Sequence, residues 1–230
     1  MVTDDLRFAD LLASSIHDMK NVLNLQVSVL EQVARESQER GDTPTFERLA
    51  QVMFQAQHMS LNLMELLSLY KLGNASYPIE IDQHNVAELI EEVVQHNQFM
   101  LRGKGIGVTV DCPSDCYWYL DRELVKGVLL NGLGNAYQHT HDAIRIQARV
   151  QEQQLELRVE DNGPGYPHNM LQGESADHDR GVNFSTGSTG LGLQFARQVA
   201  HLHRHAGSHG RLCVENGGAL GGGCFVLTLP

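Results

Sequence analysis

Residues 159–167 read VEDNGPGYP, the end of an alternating apolar run followed by an acid and two glycines on either side of a proline. A second glycine cluster, STGSTGLGLQFARQVA at 185–200, opens what its apolar spacing predicts to be a helix from about Leu191 to His203. Glycine at strand-to-turn and turn-to-helix junctions lets backbone N–H groups approach an anion closely, and a helix N-terminus adds a positive field. Neither cluster is a Walker loop, because no Gly-Lys-Ser/Thr follows, and Gly190-Leu191-Gly192 lacks the third glycine of a dinucleotide fingerprint. Taken singly, the first reads more readily as a surface turn and the second as a tight helix start.

Outward from these clusters, AIRIQARV and QLELRVED alternate with period two and pair as a hairpin, and the chain closes on a second hairpin, RLCVEN with CFVLTLP. Upstream, the pattern predicts a helix from about Val86 to Leu101, strands IGVTVD and CYWYL, and a helix from about Arg122 to His139. Strands grouped with helices in this order suggest an α+β layer with its helices on one face. The grammar changes at Tyr77-Pro78, which marks a boundary near residue 76. Before it, Ala9, Leu12, Ile16, Leu23, Val27, Leu30 and Ala34 form one helical stripe, ended by Gly41 and Pro44, with Thr43 able to cap a new helix. Phe46, Leu49, Met53, Ala56, Met59, Leu63, Leu66 and Tyr70 form a second stripe, ending near Gly73. Such a hairpin buries its faces poorly alone, whereas two copies close into a four-helix bundle. The expectation is a homodimer through residues 1–76, with a second domain at 77–230.

The 230 residues carry 42% hydrophobic residues and a net charge of −11, enough for a core and of the wrong sign for recruiting nucleic acid. No apolar run approaches the roughly 20 residues that cross a bilayer, and MVTDDLRFADLL lacks the basic region of a signal peptide, so no membrane insertion and a cytoplasmic location are expected. The four cysteines include no Cys-x-x-Cys pair and read as reduced thiols rather than a zinc site.

With the helix DRELVKGVLLNGLGNAYQHT at 121–140, the two glycine clusters stand in an order and spacing that resemble the ATP-binding domain of sensor histidine kinases, within the wider family shared with gyrase and the Hsp90 chaperones. Asn131 and Asn135 fall on that family's N box, DNGPG on its first glycine box, GSTGLGL on its second, and Gly221 to Pro230 on its closing strand. The resemblance runs from about Asp82 to Pro230 and implies a Bergerat-type α/β sandwich that takes ATP and Mg²⁺. It implies that the Asn135 amide oxygen coordinates Mg²⁺, a hard cation that prefers oxygen. It further implies that Asp161 accepts a hydrogen bond from the adenine amino group and that Gly163 and Gly165 let the chain pass close to the base. Gly187, Thr189, Gly190 and Gly192 then shape an amide cradle for the phosphates. Asn131 stands where ATP-hydrolysing members carry a glutamate base, which disfavours hydrolysis as the main output. Gln138 replaces a basic residue common in the kinases, with His139 or Arg180 as substitutes for that contact, and the lid at about 166–186 holds Phe184 but no clear phenylalanine box.

Residues 14–26, SSIHDMKNVLNLQ, place His17 inside the first helix. A lone histidine on an amphipathic helix is more often structural than reactive. Here SSIHDMKN resembles the phosphoacceptor box of dimeric histidine kinases, in which an acid follows the histidine and Asn or Thr stands four positions on; Val22 replaces the usual proline. The resemblance implies that His17 is the nucleophile. One ring nitrogen must be unprotonated to attack the γ-phosphorus, and the Asp18 carboxylate can orient the other N–H. Asn21, at i+4, shares the face of His17, and in the family this position orients water against a phosphorylated regulator, so Asp18 and Asn21 also imply a phosphatase role. His201, His203, His205 and His209 read as residues ending a helix rather than as a metal cluster.

The implied function is a two-component histidine kinase core: ATP phosphorylates His17, and the group passes to an aspartate on a response regulator receiver domain. No sensor or receiver domain fits in the sequence, so input is expected from a separate sensor or input protein or from a region outside this sequence. The alternative is a histidine phosphotransferase relay protein with a degenerate ATP domain, against which the intact glycine boxes stand. A serine kinase that binds a sigma-factor partner shares the ATP domain but lacks the histidine hairpin.

Overall fold

The computed structural model describes residues 2–73, 78–171 and 190–230. It divides into two compact units, Met1–Pro78 with Phe99–Lys104, and Ile79–Gln98 with Gly105–Pro230.

The first unit is built on two long helices, α1 (Val2–Glu39) and α2 (Thr43–Gly73). Gly41, at φ 72°, makes the turn that an L side chain resists. Asp42, rather than Thr43, caps α2: its Oδ1 accepts the Thr45 N–H at 3.2 Å, and Thr43 already lies in the helix. Ser37, fully buried, donates to the Asp42 carbonyl at 2.9 Å and closes the turn. Ile16, Val27 and Ala34 of α1 are buried, as are Phe46, Ala50, Met53 and Leu67 of α2. A second apolar stripe remains exposed on each helix. Met19, Val22, Leu25, Val29 and Val33 form it on α1, and Val52, Met59 and Leu66 form it on α2.

The second unit is a mixed five-stranded sheet with helices on one face, as the α+β reading expects. In chain order it contains β1 (Asp82–Asn85), α3 (Val86–His96), β2 (Gly107–Asp111), β3 (Tyr117–Leu120), α5 (Arg122–His139), β4 (Ala143–Gln151), β5 (Gln154–Asp161), α6 (His168–Leu171), α7 (Leu191–Leu202), β6 (Arg204–His205), β7 (Ser208–His209), β8 (Arg211–Asn216) and β9 (Gly223–Leu229). Helix α4 (Gln98–Gly103) comes directly after α3. The helix expected over 86–101 is therefore broken: the buried Asn97 turns its side-chain amide onto the Val93 carbonyl at 2.7 Å, competing for the helical hydrogen bond that would carry the turn onward. The sheet order is β2-β4-β5-β9-β8, with β2 parallel to β4 and the other pairs antiparallel. Strand β1, whose sequence DQHN carries no apolar alternation, pairs with β3 outside this sheet.

Ile146, Val159 and Phe225 stand in register across β4, β5 and β9, and all three are buried. Helix α5 comes close to this row at Gly132, where an added Cβ would lie 3.0 Å from the Phe225 ring and 3.2 Å from Val159. This approach sets the depth of α5 over the sheet.

Glu92 on α3 joins Arg122 and Lys126 of α5. Hydrogen bonds from Lys126, then Arg122, hold its carboxyl below the usual range. A depressed carboxylate pKa contributes stability that is present above the unfolded-state value and is lost as pH falls through the folded one. Because these groups are partly exposed, Glu92→Gln is expected to cost only about 0.5 kcal/mol at neutral pH. Urea unfolding should show that difference shrinking toward zero in acid.

Candidate functional site

Helix α5 carries three of the expected site residues, Asn131, Asn135 and His139, spaced four apart and so on one face. Asp121 starts the helix, with its Oδ1 accepting the Leu124 N–H at 3.1 Å.

At the C-terminal end of α5 the chain meets the DNGPG turn. A Cβ at Gly163 would run into the His139 carbonyl oxygen, so only glycine lets the turn lie against the helix end. Asp161 ends β5 with the same parity as Val159 and therefore faces the helix layer, where it is buried. Its Oδ1 accepts the Gly163 N–H at 2.7 Å and the Gly223 N–H at 3.2 Å. Its Oδ2 accepts no hydrogen bond among the described residues, which leaves one carboxylate oxygen for a ligand donor. The Tyr166 ring lies beside Gly223, and burial, then the Asp161 charge, push its phenol upward.

At the other end of the face, Asn131 is buried against the start of α7. Its Nδ2 donates to the Gly192 carbonyl at 3.4 Å, and a Cβ on Gly192 would stand 2.5 Å from its Oδ1. Gly190 precedes α7 at φ 67° and supplies no side-chain cap, so the first-turn amides are unpaired in the helix and, among the described residues, receive no capping side chain. Asn135 is half-buried, and its amide makes no hydrogen bond among the described residues. One hard amide oxygen, completed by water and phosphate oxygens, suits Mg²⁺, which seldom takes an all-protein cage. The structure thus joins Asn131 to Gly192 and His139 to Gly163, with Asn135 between. Gly187 and Thr189 lie outside the described residues, as do Arg180, Phe184 and most of the expected lid.

Two residues that sequence reasoning missed hold the DNGPG turn in place. Asn216, at the end of β8, accepts the Tyr166 N–H at 2.6 Å and donates to the Tyr166 carbonyl at 2.9 Å. Asn162 ties the turn to the chain that follows α5: its Oδ1 accepts the His141 N–H at 3.1 Å and the Thr140 hydroxyl at 2.7 Å. The first partnership spans 50 residues and has no local signal. The second could have been read from the habit of Asn to organise turns through its side chain.

In the first unit, His17, Asp18 and Asn21 are exposed on α1. The Asn21 amide lies 3.2 Å from His17 Nδ1, and Asp18 Oδ1 lies 3.9 Å from the same nitrogen. Both neighbours meet Nδ1, and Nε2 has no partner among the described residues. The histidines at 201–209 do not converge: His201 and His209 stack with centroids 4.3 Å apart, His203 is buried, and α7 ends before His205. Among the described residues no group of three or more His, Cys, Asp or Glu is placed to hold a metal, and no helix is long and apolar enough to cross a membrane. All four cysteines are free thiols.

A glycine-lined turn with an inward carboxylate, a polar helix face and an uncapped helix start, set on a mixed sheet, define a Bergerat-type ATP-binding domain. Residues 120–230 match the model of the histidine kinase-, DNA gyrase B- and HSP90-like ATPase family. Over 98% of its length the chain is 27% identical to the adaptive-response sensory kinase SasA of Synechocystis sp., covering 60% of that protein. It is 25% identical over 95% of its length to the signal transduction histidine-protein kinase AfsQ2 of Streptomyces coelicolor, covering 41% of it. Among solved structures, the catalytic domain of the histidine kinase ThkA superposes with a TM-score of 0.56 and 26% identity, over 66% of this chain and 98% of that one. The chain spans 60% or less of the length of these curated relatives. The matched residues fall in the second unit, and the likeness to these kinases supports a histidine kinase catalytic core.

Proposed function

We propose that the chain transfers the γ-phosphoryl group of ATP to His17 and then to an aspartate on a response regulator receiver domain. The observation that carries this reading is the pairing, in one chain, of the α5 nucleotide face with an exposed histidine whose Nε2 is open and whose Nδ1 is flanked by Asp18 and Asn21. In this reading Nε2 attacks the γ-phosphorus, a P–N bond forms, the bond to the β-phosphate oxygen breaks, and ADP leaves. The Nδ1 proton stays on the ring, oriented by the Asp18 carboxylate 3.9 Å away, and Asn21 accepts it once its amide turns to present the oxygen in place of Nδ2. Asn21 thus stands close enough to assist phosphorylation as well as any phosphatase step. Asp161 Oδ2 receives the adenine amino group, and the α7 amides receive phosphate oxygens. Asn135 would hold Mg²⁺ through its amide oxygen, and the ion would supply positive charge to offset that of the phosphates. With an amide at Asn131, no carboxylate on this face activates water, which favours transfer over hydrolysis. ATP and a receiver-domain partner fit a cytoplasmic reaction, with input from a separate sensor protein.

The exposed stripes support a homodimer. At about 100° per residue, the Val22–Leu25–Val29 stripe lies roughly 150° round α1 from the Ile16–Val27–Ala34 seam. A two-seam helix is what a four-helix bundle of two hairpins requires. His17 falls roughly opposite the middle of that arc, on the outer side of such a bundle. Leu25, 68% exposed in the single chain, would be covered. Leu25→Glu is expected to convert the dimer to a monomer in sedimentation at micromolar concentration, with helix content retained.

The deciding experiment is incubation with γ-labelled ATP and Mg²⁺, followed by acid and alkali treatment of the labelled chain. Acid-labile, alkali-stable label supports phosphohistidine. Acid-stable label points to a serine kinase, and no label with ATP but label from a phosphorylated donor protein points to a relay.

A further inference from the structure

His203, the residue that ends α7, is 3% exposed and makes two ring hydrogen bonds. Its Nδ1–H donates to the Val199 carbonyl at 2.8 Å, and its Nε2 accepts the backbone N–H of Asp121 at 3.0 Å. Both bonds can exist together only in the neutral Nδ1–H tautomer. Asp121 is the N-cap of α5 and also receives the Glu80 N–H on its Oδ2 at 3.1 Å. The ring therefore links the C-terminal end of α7 to the N-terminal end of α5. Two more contacts lie along the same antiparallel pair: a Cβ on Gly127 would stand 3.1 Å from the Phe195 ring, and Asn131 meets Gly192.

We propose that His203 is a positioning residue for the nucleotide site, fixing α7 against α5 so that the helix start at Gly190 and the Asn131–Asn135 face keep their spacing. The proposal rests on the nucleotide-site reading of α5 and α7. The lever is long: α7 runs about 18 Å, so a tilt of about 3° at the His203 end displaces the Gly190 end by about 1 Å. A misplacement of that size can cost about a hundredfold at a site that depends on orientation. The His203–Asp121 bond is the polar tie at the far end of the pair, and the apolar Gly127–Phe195 contact between them sets distance but not direction. Burial pushes the His203 ring below the ordinary histidine value; the Asp121 carboxylate on α5 opposes that shift, and His201 and Arg204 on either side are exposed.

The test compares wild type, His203→Gln and His203→Leu as full chains. Glutamine can accept the Asp121 N–H through its amide oxygen and donate to the Val199 carbonyl, whereas leucine fills space and makes neither bond. Calorimetric titration with Mg-ADP should give His203→Gln within about threefold of wild type and His203→Leu weaker by about tenfold or more. Lowering the pH below the ordinary histidine range should weaken ADP binding more in wild type than in His203→Gln, because the depressed ring protonates only there and a protonated ring cannot accept from Asp121. Hydrogen–deuterium exchange without nucleotide provides the independent readout: the Asp121 amide should be protected in wild type and His203→Gln and exposed in His203→Leu, with faster exchange through Asn131–Asn135. Unchanged exchange in His203→Leu overturns the proposal. Equal loss in both variants also overturns it, since ring packing rather than the hydrogen bonds would then matter. A wild type that binds no Mg-ADP would instead sink the nucleotide reading, while the exchange result would still decide the coupling.

Discussion

His17→Gln should lower ATP-dependent labelling by about a thousandfold or more while leaving helix content, melting and Mg-ADP binding unchanged. The His17 side chain is 71% exposed, so its replacement removes no core contact, and glutamine is a better helix former than histidine. What it lacks is a nitrogen lone pair able to attack phosphorus: an amide nitrogen is delocalised into its carbonyl. The sharpest competitor is on α2, where His58 and Asn62 repeat the pairing at 3.3 Å. His58 is half-buried beside Phe54, burial lowers its pKa, and Met59 rather than an acid comes next in the chain, so it has an amide neighbour without an orienting carboxylate. Label that survives in His17→Gln with the stability of phosphohistidine, and disappears in His58→Gln, would move the acceptor to α2 and refute the role given to His17.

The difference between these two histidines shows what could be read without coordinates. His17 with Asp18 and Asn21 is a local pattern within one turn of helix, and the DNGPG and GLGL clusters are likewise contiguous. The limits of α5 could be read to the residue because Asp121 signals its start and an apolar face runs through it. Features that depend on distant partners could not be read. Asn97 breaks a helix because its own buried amide outcompetes the next turn, and its burial is set by the packing around it. His203 answers to Asp121, 82 residues away, and looks locally like one histidine of four. The second stripe of α1 is hidden for another reason: Val22, Leu25 and Val29 interleave with Leu23, Val27 and Leu30, and a search for one stripe per helix absorbs both into a single face.

Gly163→Ala should abolish measurable Mg-ADP binding, weakening it by about a hundredfold or more, and should destabilise the second unit by about 2–4 kcal/mol. The added methyl would overlap the His139 carbonyl oxygen and stand 3.0 Å from Asp161 Oδ1. The main obstacle is backbone at the last turn of α5, so no side-chain rotation relieves it. Either the DNGPG turn lifts from the helix or the end of α5 moves, and each route separates Asp161 from the Asn135–His139 end of the face. Because Asp161 Oδ1 also holds the Gly163 and Gly223 amides, lifting the turn strips one end of a carboxylate that must stay oriented for its free oxygen to be of use. Gly190→Ala is the control. That glycine has φ 67°, but among the described residues an added Cβ meets nothing within 4 Å, so the expected cost in stability is only the left-handed strain of about 1 kcal/mol. Thermal melts and ADP titrations of the two variants should therefore separate clearly. Equal losses would show that backbone strain, rather than contact between the turn and the end of α5, governs the glycine requirement at this site.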